Sequence, residues 1–253
     1  MNKRDPALKP LEIIEAISRA DKDGLGIASL TENTGLSKST VHRIAQALTE
    51  SGYLIRNDST KKYKLGYRLL RISSIVMNNN DVKEVARPYL HELSTETQET
   101  VHLVQLDGLY GIYTDKIDSP QSVGLLSKIG KNIPLHSTGA GKILLAYMSE
   151  NLRNRVYSEV GLTKQTTQTI TDKNMMEKEL ESIRRLGYGF DRMENREGIH
   201  CIAAPVFSEK GKVVASFSVS GPSFRFSLED AEGLIEEVKE ISEKISICLG
   251  YVP

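Results

Sequence analysis

A tight turn, Thr34-Gly35-Leu36, separates two helical patterns and limits what the first third of this chain can fold into. Glycine enters the left-handed region at little steric cost, so the chain can reverse at Gly35. Ser37 then suits a helix N-cap. The helix after it runs to Ser51-Gly52, and its Val41, Ile44, Ala45 and Leu48 form one apolar stripe at i, i+3, i+4 and i+7. Upstream, residues 11–20 put Leu11, Ile14 and Ile17 on one helical face. Gly24 and Gly26 break that pattern, and residues 29–33 form a short second helix. Downstream, residues 53–56 and 62–65 are β-like runs around a polar turn, which predicts a hairpin. A further helix spans 66–77, with Leu69, Leu70, Ile72 and Ile75 apolar. This order of elements predicts a winged helix-turn-helix.

The face opposite the apolar stripe carries Lys38, Ser39, Thr40, His42, Arg43 and Gln46 beside the Ser37 cap. Short hydroxyls and cations near a helix N-terminus suit phosphates and base edges. Arg43 can pair with guanine O6/N7, and Gln46 with adenine. Lys61, Lys62 and Lys64 of the hairpin suit phosphate. The bland alternative is a solvated polar helix in a small structural domain. The charge distribution favours DNA. The chain as a whole is neutral, but residues 1–80 hold 13 Lys+Arg against 8 Asp+Glu, and residues 81–253 hold 20 against 25. A basic front on an acidic remainder points to a double-stranded DNA partner for the first module and something else for the second.

Asn78-Asn79-Asn80-Asp81 is the clearest break, giving a DNA-binding domain with its linker helix over 1–78 and a second domain over 79–253. In the second part, helices are expected over 81–97, 138–148, 151–160, 173–186 and 228–249. Strands are expected over 100–106, 109–116, 123–128, 199–208 and 212–220. Strand runs flanked by helices suggest an antiparallel sheet with helical covers, hence an α+β fold. No apolar run approaches a membrane span. The opening residues lack the form of a signal peptide, and two cysteines, Cys201 and Cys248, make neither a zinc finger nor a disulfide framework. A cytoplasmic protein is expected.

Leu11-Glu12-Ile13-Ile14-Glu15-Ala16, the run from Leu30 to Arg43, Ser51-Gly52-Tyr53-Leu54 and Tyr63-Lys64-Leu65-Gly66 resemble the amino-terminal domain of the IclR family of bacterial transcriptional regulators. The resemblance continues through Ala86-Arg87-Pro88-Tyr89-Leu90, the run from Pro134 to Lys142, Leu186-Gly187-Tyr188-Gly189, the run from Gly198 to Val206 and Val219-Ser220-Gly221-Pro222. It covers essentially the whole chain. It implies a GAF/PAS-like carboxy-terminal domain that binds a small effector, self-association as dimers or tetramers, and control of a catabolic operon, commonly by repression. In members that bind small oxo-carboxylates, the pocket is similar to one built at positions that match Gly139, Ala140, Asp191, Cys201, Ser218 and Ser220. Arg192 and Arg196 depart from the commoner acidic run and favour an anionic ligand, a small organic acid or sugar acid.

The residues themselves offer little enzymology. His136-Ser137-Thr138-Gly139-Ala140-Gly141-Lys142 fails as a Walker motif, because His136 stands where glycine is needed and Ile143 follows the lysine. It still offers a helix N-terminus to an anion. Asp191, Glu194, Glu197 and His200 recur every three residues, but the glycines around them argue against one helix and hence against a metal site. His200 and Cys201 are neighbours in a β run and face opposite sides, so they form no simple dyad. No catalytic residue, metal or cofactor is expected. Two alternatives remain at this point: an enzyme fused to a DNA-targeting domain, or a constitutive DNA-binding protein whose second domain only oligomerises.

Overall fold

The computed structural model describes residues 5–78 and 81–252. The opening residues 1–4, and residues 79 and 80 of the expected interdomain break, lie outside them. The chain divides at that break into two compact units, each built on its own core.

The first unit is three helices and a hairpin. Helix α1 (Lys9–Ser18) carries Pro10 in its first turn, and α2 (Ile27–Thr34) ends on Gly35 at φ 66°. Helix α3 (Lys38–Glu50) is capped by Ser37, whose hydroxyl accepts from the Thr40 amide. Ile13, Ile17, Leu30, Val41, Ile44 and Ala45 close the core with Leu54 and Tyr63 from the hairpin. Each of the isoleucines, leucines and the valine contributes about 1.5–3 kcal/mol by burial, so α3 is fixed by its inner stripe while its outer face stays free. Strands β1 (Leu54–Arg56) and β2 (Tyr63–Leu65) pair antiparallel. Leu25 adds a further, isolated rung, exchanging backbone hydrogen bonds with Tyr63 at 3.1 and 2.8 Å. A single residue has no periodicity, so the sequence could not announce that rung. Helix α4 (Tyr67–Asn78) follows, with Leu70 and Ile75 exposed.

The second unit is a six-stranded antiparallel sheet in the order β5-β4-β3-β8-β7-β6. Its strands are β3 (Thr100–Asp107), β4 (Tyr110–Ile117), β5 (Asn132–Ile133), β6 (Gly189–Arg192), β7 (Ile199–Phe207) and β8 (Val213–Pro222). Helices α5 (Asp81–Thr97), α9 (Leu228–Gly233) and α10 (Ile235–Cys248) cover one face, around Leu90, Leu103, Phe217, Val219 and Ile245. Helices α6 (Gly139–Tyr147) and α8 (Lys173–Leu186) cover the other, around Val104, Ile143, Leu145, Met176 and Ile183. Side chains alternate along a strand. On β8, Phe217 and Val219 therefore enter the first core while Ser216, Ser218 and Ser220 turn to the second face.

Four sequence expectations are corrected. Residues 123–128 form no strand; the third strand is β5. Lys116 Nζ donates to the carbonyls of Leu125 at 2.9 Å and Ser127 at 3.0 Å, so a side chain satisfies backbone that a sheet ladder would otherwise take. Residues 151–160 form α7 (Glu150–Arg155) and then one turn of π-helix, Val156–Val160, not one α-helix. The long helix over 228–249 is two helices, broken after Gly233, a poor helix former. The strands expected from the sequence do not include β6, which is only four residues long between glycine and a turn.

Candidate DNA interface and effector pocket

On α3, Lys38, Ser39, His42, Arg43 and Gln46 are exposed and share the outer face, and Thr40 is half-buried. Ser37 Oγ lies 2.8 Å from Thr40 Oγ1 and 3.2 Å from Ser39 Oγ. Local capping thus already engages these three hydroxyls, and they are less free for a partner than the cations. Gln46 Nε2 donates to Glu50 Oε1 at 2.9 Å, a bond that reading an adenine would have to replace. On the hairpin, Lys61 and Lys64 are exposed and Lys62 is half-buried. The turn is built by Asn57, whose Oδ1 accepts from the amides of Ser59 and Thr60, both at 3.0 Å. Lys61 sits at φ 57° in that turn.

The second unit holds a cavity of about 480 Å³ on the α6 side of the sheet. All six positions matched for an effector, Gly139, Ala140, Asp191, Cys201, Ser218 and Ser220, line it. Gly139 and Ala140 come from the first turn of α6, whose amides have no partner within the helix. Thr138 caps this helix, its Oγ1 accepting from the Gly141 amide at 3.1 Å. Gly141 must be glycine: a Cβ there would meet Thr138 Oγ1 at 2.4 Å and the Pro134 carbonyl oxygen at 2.6 Å. Ser216 Oγ donates to the Ala140 carbonyl at 2.9 Å and ties α6 to β8.

Asp191 and Cys201 face each other across β6 and β7 in register, with Sγ 4.0 Å from Asp191 Oδ2. Burial, aided by the nearby Glu194 charge, pushes the Asp191 carboxyl up to about 7. Burial likewise pushes the Cys201 thiol well above its usual range. At neutral pH this wall therefore offers an acid that is half protonated and an un-ionised thiol. Ser218 Oγ and Ser220 Oγ lie 3.4 Å apart on β8. Lys131 and Arg196 also line the cavity and give it positive groups. The other arginine of the sequence argument, Arg192, is not among the lining residues; its guanidinium lies 3.6 Å from Glu179.

Sequence reasoning missed several lining residues. His102 on β3 packs against Tyr113 with ring centroids 4.6 Å apart and planes tilted by 33°, and its Nε2 lies 2.7 Å from Ser127 Oγ. Burial first, and Lys116 second, hold the imidazole at about 3, so it is neutral. The alternation in residues 100–106 could have put His102 on the Ser218 face, had the strand pairing been known. The loop carrying Ser127 has no such signal.

Residues 74–247 match the family model described as "Bacterial transcriptional regulator IclR C-terminal", and residues 7–58 match "IclR helix-turn-helix domain". The chain is 35% identical over 244 residues to the HTH-type transcriptional regulator KdgR of Escherichia coli strain K12, covering 96% of this chain and 92% of that protein. It is 29% identical to the HTH-type transcriptional repressor AllR of the same strain, covering 88% and 83%. The crystal structure of the Thermotoga maritima IclR superposes with a TM-score of 0.76 at 33% identity, covering 97% of this chain and 98% of that one.

Proposed function

The chain belongs to the IclR family of bacterial transcriptional regulators, and from that premise we propose which residues read DNA and what chemistry the effector has. It is a regulator, not an enzyme. Arg43 and Gln46 read base edges, and Lys38, Ser39, Thr40 and His42 meet the neighbouring backbone with the capping hydroxyl of Ser37. Lys61, Lys62 and Lys64 hold phosphates. The first module carries a modest positive charge, so strong operator binding requires two or more modules, supplied by self-association.

The effector is a small organic acid or sugar acid. The single observation that carries this reading is that six polar or small residues, one of them a carboxyl shifted to about 7, share one cavity with Lys131 and Arg196. A carboxylate fits the α6 amides, where the helix end is positive. Cys201, Ser218, Ser220 and the protonated Asp191 can hydrogen-bond the remaining oxygens. Bound acid then represses or relieves transcription only through unequal affinity for two arrangements of the regulator; relief of repression is the sign proposed here.

Calorimetry with pyruvate, D-gluconate and D-galacturonate against neutral aromatics of similar size tests the chemistry. Binding of at least one acid and of no neutral aromatic is expected. Binding of the aromatics alone overturns the reading.

A further inference from the structure

A lysine wholly excluded from solvent lies one turn beyond the amides that open α6 onto the cavity. Lys142 Nζ reaches Glu194 Oε1 at 2.6 Å and Glu179 Oε1 at 2.9 Å. Stability alone is a poor account of this arrangement. Desolvating a lysine is costly, and an apolar side chain of similar volume often serves a core equally well.

The segment that Lys142 grips explains it better. Residues 191–196 supply Asp191, Asn195 and Arg196 to the cavity wall. In their midst Met193 holds φ 62°, a conformation that a side-chain-bearing residue keeps only when its surroundings enforce it. The enforcement is visible. Thr166 Oγ1 donates to the Met193 carbonyl and Thr169 Oγ1 to the Glu194 carbonyl, each at 2.6 Å. The Glu194 amide donates to Asp191 Oδ1 at 2.7 Å and the Asn195 amide to the same oxygen at 3.3 Å. Glu194 takes part in two of these four bonds, through its carbonyl and its amide, and in the ion pair with Lys142. Its Oε2 has no hydrogen-bond partner among the described residues, so the grip rests on one carboxylate oxygen.

Resting on the assignment of this cavity as the effector pocket, we propose that Lys142 is a positioning residue of that pocket, clamping the 191–196 turn to α6 and so fixing the gap between the Gly139 and Ala140 amides and Asp191. The charged and titratable groups around the clamp include Glu179 on α8, Arg192 and Asp191 on β6, Glu194 in the turn, Cys201 on β7 and His136 just ahead of α6. One lysine thus sets the spacing of the two walls between which an acid would lie. Losing it lets the turn relax from its left-handed residue, moves Asp191 off its mark and uncovers Cys201.

The test uses the full chain carrying Cys248→Ser, which leaves Cys201 as the single thiol. Alkylation of Cys201 by iodoacetamide is compared in the parent, Lys142→Met and Lys142→Arg, alongside titration with D-gluconate and D-galacturonate. Alkylation about tenfold faster in Lys142→Met, restored toward the parent rate by arginine, is expected, because local opening governs access to a buried thiol. Acid affinity should fall in the same order. Unchanged alkylation in a Lys142→Met protein whose melting temperature has dropped overturns the proposal, since Lys142 would then only join α6 to α8. If Lys142→Met does not fold, Glu194→Gln takes its place, keeping Lys142 paired with Glu179, with alkylation followed across pH so that greater exposure of Cys201 is separated from easier ionisation of its thiol. A parent that binds neither acid would remove the effector chemistry proposed above, while the alkylation rates would still decide the clamp.

Discussion

Asp191→Asn should stabilise the effector unit at alkaline pH and leave it unchanged in acid. The folded carboxyl stands at about 7 against an ordinary 3.8, chiefly through burial. Its folded value lies above its unfolded one, so between those two values the folded state binds more protons than the unfolded state. Stability therefore falls as pH rises through this window, with slope set by that proton difference. At about 1.4 kcal/mol per pH unit over roughly three units, the wild-type unit loses about 4 kcal/mol between about pH 4 and pH 7. Asparagine cannot ionise, yet its Oδ1 can still accept from the Glu194 and Asn195 amides. The difference between variant and wild type cancels the titrations of groups that Asp191 does not touch. It should be near zero at about pH 4 and reach about 4 kcal/mol above about pH 7.5. For a domain of this size that is a melting-temperature gain on the order of 10 °C. Calorimetric scans resolve it if the effector-unit transition is followed apart from that of the DNA-binding unit. A constant offset between the two proteins across the whole pH range would refute the reasoning, because it would mean that Asp191 titrates alike in the folded and unfolded states.

The same group links effector binding to pH. An anionic acid favours protonated Asp191, so its affinity should decline by up to about tenfold per pH unit above about 7, and Asp191→Asn should flatten that profile; calorimetry at several pH values shows which. Arg43→Ala should weaken specific DNA binding by about 1–3 kcal/mol and relax base preference. Equal losses on specific and random duplexes in a fluorescence titration would remove its base-reading role. Lys62→Ala should weaken all sequences alike and reduce the salt slope of log K by about one.

Much of the first unit is legible in the sequence because its signals are local. Gly35, the Ser37 cap and the 41–44–45–48 stripe lie within one turn and one helix, and each has a single cheap conformation. The pocket is different. Asp191 and Cys201 could be matched to a pattern, but their meeting depends on β6, four residues without a clear alternation. His102 joins the wall only because β3 pairs with β8, placing it opposite Ser218, a pairing between residues more than a hundred apart in sequence. Lys142 was visible as the end of a failed phosphate motif; its two acidic partners come from α8 and a turn. The 123–128 segment misled for the opposite reason. Its local composition suits a strand, and the side chain of Lys116, on the preceding strand β4, takes two of its carbonyls instead.

The central claim is that occupancy of this cavity changes the affinity of the first unit for its operator. The direct measurement is equilibrium binding of the full chain to a duplex selected from the genomic DNA it retains, at fixed salt, with and without the acid that binds tightest in calorimetry. A shift in DNA dissociation constant of about 5–150-fold, the usual range of coupling between two sites, is predicted, with loss of that shift in Lys142→Met. Saturating acid that leaves the DNA dissociation constant unchanged would contradict it.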